Sequence, residues 1–140
     1  MAATGIFVVD CSVSIAWLFD EQADDYTEAA LNALVGTFAV APRWWNVEVL
    51  NALLTLERRR RRLVAGKAVD LQRHLQRLPV HLQDSRASVF ELHVLSIRHQ
   101  LTSHDALYLE VALATGLPLA TRDKALRQAA TESGVGVWFG

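Results

Sequence analysis

Ile6-Phe7-Val8-Val9-Asp10-Cys11-Ser12 is an apolar run that stops on a carboxylate. Consecutive large apolar residues with β-branched members read as a strand buried on both faces, and the helix-like stretch behind it points to a parallel sheet. Asp10 then stands at the carboxyl end of a central strand. In open α/β sheets that edge is where ligands bind, and it is also where the next helix begins. Asp and Ser are both good helix caps, so a carboxylate there is either a site residue or a cap. Other acids arriving at the same edge decide between the two.

A chain of 140 residues is long enough for one domain, 1–140, with a substantial core. An apolar share of 51% with 21% charged residues excludes disorder. No segment reaches the run of about 18 apolar residues that a membrane helix needs. Met1 to Gly5 lacks the basic start and apolar core of a secretory signal, so a cytoplasmic protein is expected. Cys11 is the single cysteine and reads as a small packing residue. The net charge of −1 carries no nucleic-acid signature, but the charge is distributed unevenly.

Helices are expected over Val13 to Phe19 and Asp24 to Leu34, the latter with Tyr26, Ala30 and Leu34 on one face, before Gly36 breaks the pattern. Thr37 to Ala41 is the second strand, with Pro42 opening the next helix, where its missing N–H costs nothing. That helix runs from Arg43 to about Leu63, with Val47, Leu50 and Leu54 as one apolar stripe and Trp45, Val49, Leu53 and Leu56 as another. Ala68 to Leu78 gives a helix, Val80 to Leu82 a weak strand and Ser85 to His99 a further helix. Ser103 caps a helix from Asp105 to Thr115 that ends at Gly116. A strand at Leu117 to Thr121, a helix from Asp123 to Glu132 and a last strand at Val135 to Phe139 close the chain. This alternation predicts a three-layer α/β/α sandwich with a mainly parallel central sheet.

The alternation also fixes where acids fall. A helix climbing about 1.5 Å per residue from Asp105 and a strand returning at about 3.3 Å per residue roughly cancel, so Asp105 and Asp123 finish on one edge. Asp10 lies on that edge if its strand and the fourth are parallel neighbours, and Glu48, one turn inside its helix, overhangs it. Asp10, Asp105 and Asp123 all stand near helix starts, where capping is the plainer reading. Glu48 is flanked by Val47, Val49 and Leu50 in an apolar stretch, where an unpaired acid is costly to bury. Carboxylates on one rim raise each other's pKa unless a cation joins them. With oxygen ligands and no His or Cys at metal spacing, that cation is Mg²⁺ or Mn²⁺ rather than zinc.

Val8-Val9-Asp10-Cys11-Ser12, the stretch Pro42 to Leu53 with Glu48 at its centre, Ser103-His104-Asp105-Ala106-Leu107-Tyr108 and Ala120-Thr121-Arg122-Asp123 resemble the PIN-domain ribonucleases, in particular the VapC-type toxins of toxin–antitoxin pairs. The resemblance covers the whole chain in the family's order. It implies Asp10, Glu48, Asp105 and Asp123 as an acidic metal site, with Ser12 and Thr121 as auxiliary hydroxyls. It also implies metal-dependent hydrolysis of RNA, a homodimer and an antitoxin partner. Arg58 to Arg62, five arginines in a row, are not part of that pattern. Arg58 and Arg62 continue the face of Glu48, Asn51 and Thr55 in steps of three and four and are candidate phosphate contacts, set against the plainer reading of a solvated helix end.

Trp44 and Trp45 precede Glu48 closely enough for one to stack on a base, although aromatics at helical spacing more often form core or dimer surface. His104 reads as a capping or packing residue. A haloacid-dehalogenase-type phosphatase also begins with an apolar strand ending in Asp, but it needs a second Asp where this chain has Ser12. The remaining rival is a non-catalytic protein-binding domain whose acids are helix caps.

Overall fold

The computed structural model describes residues 6–59 and 63–139. Four short parallel strands, β1 (Val8–Val9), β2 (Ala39–Pro42), β3 (Val80–Gln83) and β4 (Leu119–Ala120), lie in the order β3-β2-β1-β4. Val8 pairs with Val40 on one side and Leu119 on the other, so β1 is flanked on both edges, as its unbroken apolar run predicts. Phe7, Val8 and Val9 are fully buried.

The helices are α1 (Cys11–Ala16), α2 (Asp25–Ala33), α3 (Trp45–Arg58), α4 (Lys67–Gln76), α5 (Val89–His99), α6 (Ser103–Thr115) and α7 (Lys124–Glu132), with a 3₁₀ turn at Asp20–Gln22. From β1 the chain steps to β2 and β3 through α1 to α4, then reverses and crosses back through α5 and α6 to β4. Right-handed crossovers put the helices of these two runs on opposite faces of the sheet, and α1 touches α3, α3 touches α4, and α5, α6 and α7 touch one another accordingly. The result is the expected α/β/α sandwich around a mainly parallel sheet. The reversal falls between β1 and β4, and the crevice beyond the carboxyl ends of two such strands is where doubly wound sheets bind ligands.

Several boundaries differ from the sequence reading for local reasons. Pro42 ends β2 instead of opening α3: it faces Gln83 across the β2–β3 ladder, where a residue without N–H is tolerated, and the helix starts at Trp45. The helix expected from Ser85 begins only at Val89, because the Ser88 hydroxyl accepts from the Glu91 N–H while Glu91 accepts from the Ser88 N–H. The cap of α6 is Thr102, not Ser103; its hydroxyl accepts from Asp105 N–H at 3.2 Å. The last expected strand shrinks to one bridge between Leu119 and Val137, since Gly134 and Gly136 both take positive φ and leave extended geometry. Trp45, Val49 and Leu53 form the buried stripe of α3, whereas Val47 of the second predicted stripe is 56% exposed. Arg60, Arg61 and Arg62 lie outside the described residues, and Arg58 is exposed in the last turn of α3.

Candidate metal centre

Asp10 follows β1 directly and is buried. One carboxylate oxygen accepts from Val13 N–H at 3.0 Å and caps α1; the Ser12 hydroxyl donates to both oxygens at 2.8 and 2.9 Å, and the Thr121 hydroxyl donates to the second. Burial is the main force on this carboxyl and pushes it up to about 6; the hydrogen bonds from Thr121, Val13 and Ser12 oppose the rise, and the charge of Asp105 adds to it. Thr121 also accepts the Asp123 N–H at 3.0 Å, so one hydroxyl ties the ends of β1 and β4 together. Asp123 caps α7 by accepting from Leu126 N–H at 2.9 Å. Ser12 and Thr121, expected as auxiliary hydroxyls, thus both hold Asp10.

Glu48 and Asp105 are placed differently. Because α3 starts at Trp45, Glu48 lies in its first turn, nearer the helix start than the sequence reading put it, and its backbone N–H bonds Trp44 O at 2.9 Å. Its Oε1 accepts from the Tyr108 hydroxyl at 2.5 Å. Tyr108 belongs to α6, one turn beyond Asp105, so this bond draws α3 and α6 together at the rim. Thr102 does the capping at α6, which leaves the Asp105 carboxylate without that task. Burial, then the charges of Asp123 and Glu48, hold the Asp105 carboxyl above the usual range. The same field reaches Cys11, whose thiol is pushed up by burial and then by Glu48, Asp10 and Asp105. That thiol stays protonated and packs against the core, as its position after β1 suggests.

The four acids therefore share one electrostatic neighbourhood at the switch point. No described Lys or Arg pairs with any of them: Arg122 bonds Asp24 and the Gln22 carbonyl, and Arg127 donates to the Thr121 carbonyl while its guanidinium lies over Tyr26. Among the described residues no group of three or more His, Cys, Asp or Glu side chains is placed so that it could hold a metal ion. The donor chemistry by itself suits a hard divalent cation: the groups are oxygen throughout, and no described Lys or Arg pairs with them.

Two positioning residues escaped the sequence reading. Trp45 is buried and its Nε1 donates to Ser14 Oγ at 2.9 Å, and Ser14 Oγ donates in turn to the Asp10 carbonyl at 2.7 Å. The start of α3, and with it Glu48, is fastened to the end of β1. Tyr108 is the other partner missed, although its place three residues after Asp105 put it on a neighbouring face of the same helix.

A doubly wound α/β protein with an acid-lined switch point is the class that fold and site define. The family model for the PIN domain matches residues 7–132, and the chain belongs to that family. Its members are generally divalent-metal-dependent nucleases. Among solved structures, that of PAE2754 from Pyrobaculum aerophilum is similar in fold, with a TM-score of 0.60 and 24% identity over 92% of this chain and 87% of that one. No curated protein sequence matches the chain. Among the described residues no helix is long and apolar enough to cross a membrane.

Proposed function

We propose that this chain is an endoribonuclease that hydrolyses RNA phosphodiester bonds with Mg²⁺ or Mn²⁺ held by Asp10, Glu48, Asp105 and Asp123, and that it is the cytoplasmic toxin of a toxin–antitoxin pair. One observation carries the reading: Asp105 and Glu48 are acids at the switch-point rim that make no side-chain cap bond and pair with no described Lys or Arg. A helix start favours an acid, but burial and the charges of Asp123 and Glu48 raise the Asp105 carboxyl, and a cation that works there best explains why such acids are kept together. A divalent ion in such a site stabilises charge that builds on the phosphoryl oxygens and eases deprotonation of the attacking water. The protein's share is to hold the carboxylates in place: Thr121 and Ser12 fix Asp10, Tyr108 fixes Glu48, and the Trp45–Ser14 pair sets the spacing between β1 and α3.

The toxin role is supported by the resemblance of the four motifs to VapC-type chains. An antitoxin would inhibit by placing a cationic side chain among the acids. A homodimer is supported by α5, which leaves Val89, Phe90 and Ile97 uncovered, Phe90 at 72% and Ile97 at 68% exposure. The cap-only rival accounts fully for Asp10 and Asp123, whereas for Glu48 and Asp105, in the first turns of α3 and α6, it offers only the helix dipole.

The test is cleavage of RNA by the purified chain with and without Mn²⁺, with mapped product ends. Metal-dependent cuts that disappear in Glu48→Gln are expected. An intact RNA pool after incubation with Mn²⁺ and with Mg²⁺ would overturn the reading.

A further inference from the structure

The paired tryptophans part company at the start of α3. Trp45 turns into the core, whereas Trp44 stands 60% exposed four residues before Glu48. Trp44 forms one wall of a cavity of ≈ 540 Å³, whose other walls come from Val89, Leu92, His93 and Ser96 of α5 and from Ser103, His104 and Leu107 of α6. Ser103 and His104 directly precede Asp105 in the first turn of α6, as Trp44 precedes Glu48 by four residues at the start of α3. The cavity therefore opens beside the acidic rim, and its volume falls in the range of small-ligand sites. Its walls combine an indole face, a valine and two leucines with two imidazoles and two hydroxyls, of which that of Ser96 gives its proton to Leu92 O and keeps lone pairs that can accept.

We infer that this cavity is a nucleobase subsite, which receives an unpaired base next to the scissile phosphate, stacked on Trp44 with its edge read by His93, Ser96, Ser103 and His104. The inference rests on the nuclease reading of the adjoining acids. Single-stranded RNA is recognised by splaying bases onto aromatic faces and hydrogen-bonding their edges, and a base already paired in a duplex has no free edge to offer. The subsite thus selects single-stranded segments and a preferred nucleotide beside the cut, a selectivity that the acids cannot supply. The imidazoles and hydroxyls on its wall set the cavity apart from Phe90 and Ile97 of α5, which lie outside it and suit a second protein surface; Val89 borders both.

Trp44 is the exposed one of four tryptophans, and the part of the emission that Trp44→Phe removes reports the cavity. In Asp105→Asn with Mg²⁺ present, a random-sequence single-stranded RNA is expected to quench that emission and the corresponding duplex is not. Adding Trp44→Phe should abolish the quench while affinity stays within about threefold, and adding Trp44→Ala should weaken binding about tenfold, as loss of one base–aromatic stack implies. In the otherwise unaltered chain, Trp44→Ala should scatter the cleavage positions and Trp44→Phe should retain them. Metal-dependent cleavage at unchanged positions and rate in Trp44→Ala would overturn the subsite alone. Quenching by single strands without cleavage by the parent would keep the subsite and overturn the nuclease reading. A change of oligomeric state in Trp44→Ala with RNA affinity unaltered would assign the cavity to a second copy of the chain and overturn the inference.

Discussion

Asp10 and Asp123 differ from Glu48 and Asp105 in what the fold asks of them. The first pair close the N-termini of α1 and α7, and a designer with no interest in chemistry would place an acid at either position. The second pair cap nothing: Thr102 relieves Asp105 of that work, and Glu48 holds one hydroxyl, from Tyr108. Carboxylates that anchor helices are placed by folding, so their presence on the rim says little about function. Those without such a task are the informative ones, and substitutions that separate the two pairs test the site most sharply.

The largest effect expected is on activity. Asp105→Asn should lower RNA cleavage by at least about a hundredfold, the upper end of what outer-shell changes do at metal sites, with little change in melting temperature. Asp123→Ala should lose activity as well, but it should also cost about 1 kcal/mol of stability through the lost cap of α7. Thermal melts of the two purified variants beside the cleavage assay check this. If Asp105→Asn melts much lower than Asp123→Ala, the division between the pairs is wrong.

Next in size is the response to pH and metal. The Asp10 carboxyl is pushed up to about 6, from an ordinary value of 3.8, chiefly by burial. Between those values the folded chain binds the proton more tightly than the unfolded chain. This contribution is therefore full below about pH 4, falls as pH rises through about 6, and is then lost; the gap sets an upper limit of about 3 kcal/mol. Without divalent ions the parent should lose stability relative to Asp10→Asn from pH 4 to pH 7, and Mn²⁺ should restore more of it at pH 7 than at pH 5. Parallel melting curves for the two chains would mean that the buried charge already has a partner.

Much of the first pair could be read from the sequence because it is local. An apolar run ending on Asp10 announces a buried strand and a helix start together, and the helical pattern counts Asp123 as the first residue of a helix, one place inside the cap position it takes. The inner stripe of α3 follows helical spacing and is buried as expected. The second pair was legible only as position, since what holds it is remote in the chain: Tyr108 reaches Glu48 across 60 residues and Trp45 reaches Ser14 across 31. Periodicity carries no record of such bonds. The choice of Thr102 over Ser103 as cap was equally hidden, because both side chains carry hydroxyls and the backbone decides: Thr102 is extended and Ser103 is already helical.

The smallest effect belongs to the bond that joins the second pair, and it separates a positioning role from mere packing. Tyr108 is buried, and Phe fits the same space without the hydroxyl, so Tyr108→Phe removes the donor to Glu48 and little else. Glu48 is half-buried, and water can take over the vacated lone pair, which keeps the stability cost near 1 kcal/mol. What water cannot do is hold the carboxylate in one rotamer. Mn²⁺ affinity should therefore fall about tenfold, the lower end of what loss of a supporting hydrogen bond costs a metal ligand. The decisive measurement is the cycle with Glu48→Gln: if Tyr108 acts through Glu48, its substitution loses most of its effect on Mn²⁺ affinity once Glu48 is gone. A Tyr108→Phe effect of equal size in both backgrounds would show that the tyrosine shapes the core of α6 and leaves Glu48 as loosely held as any surface acid.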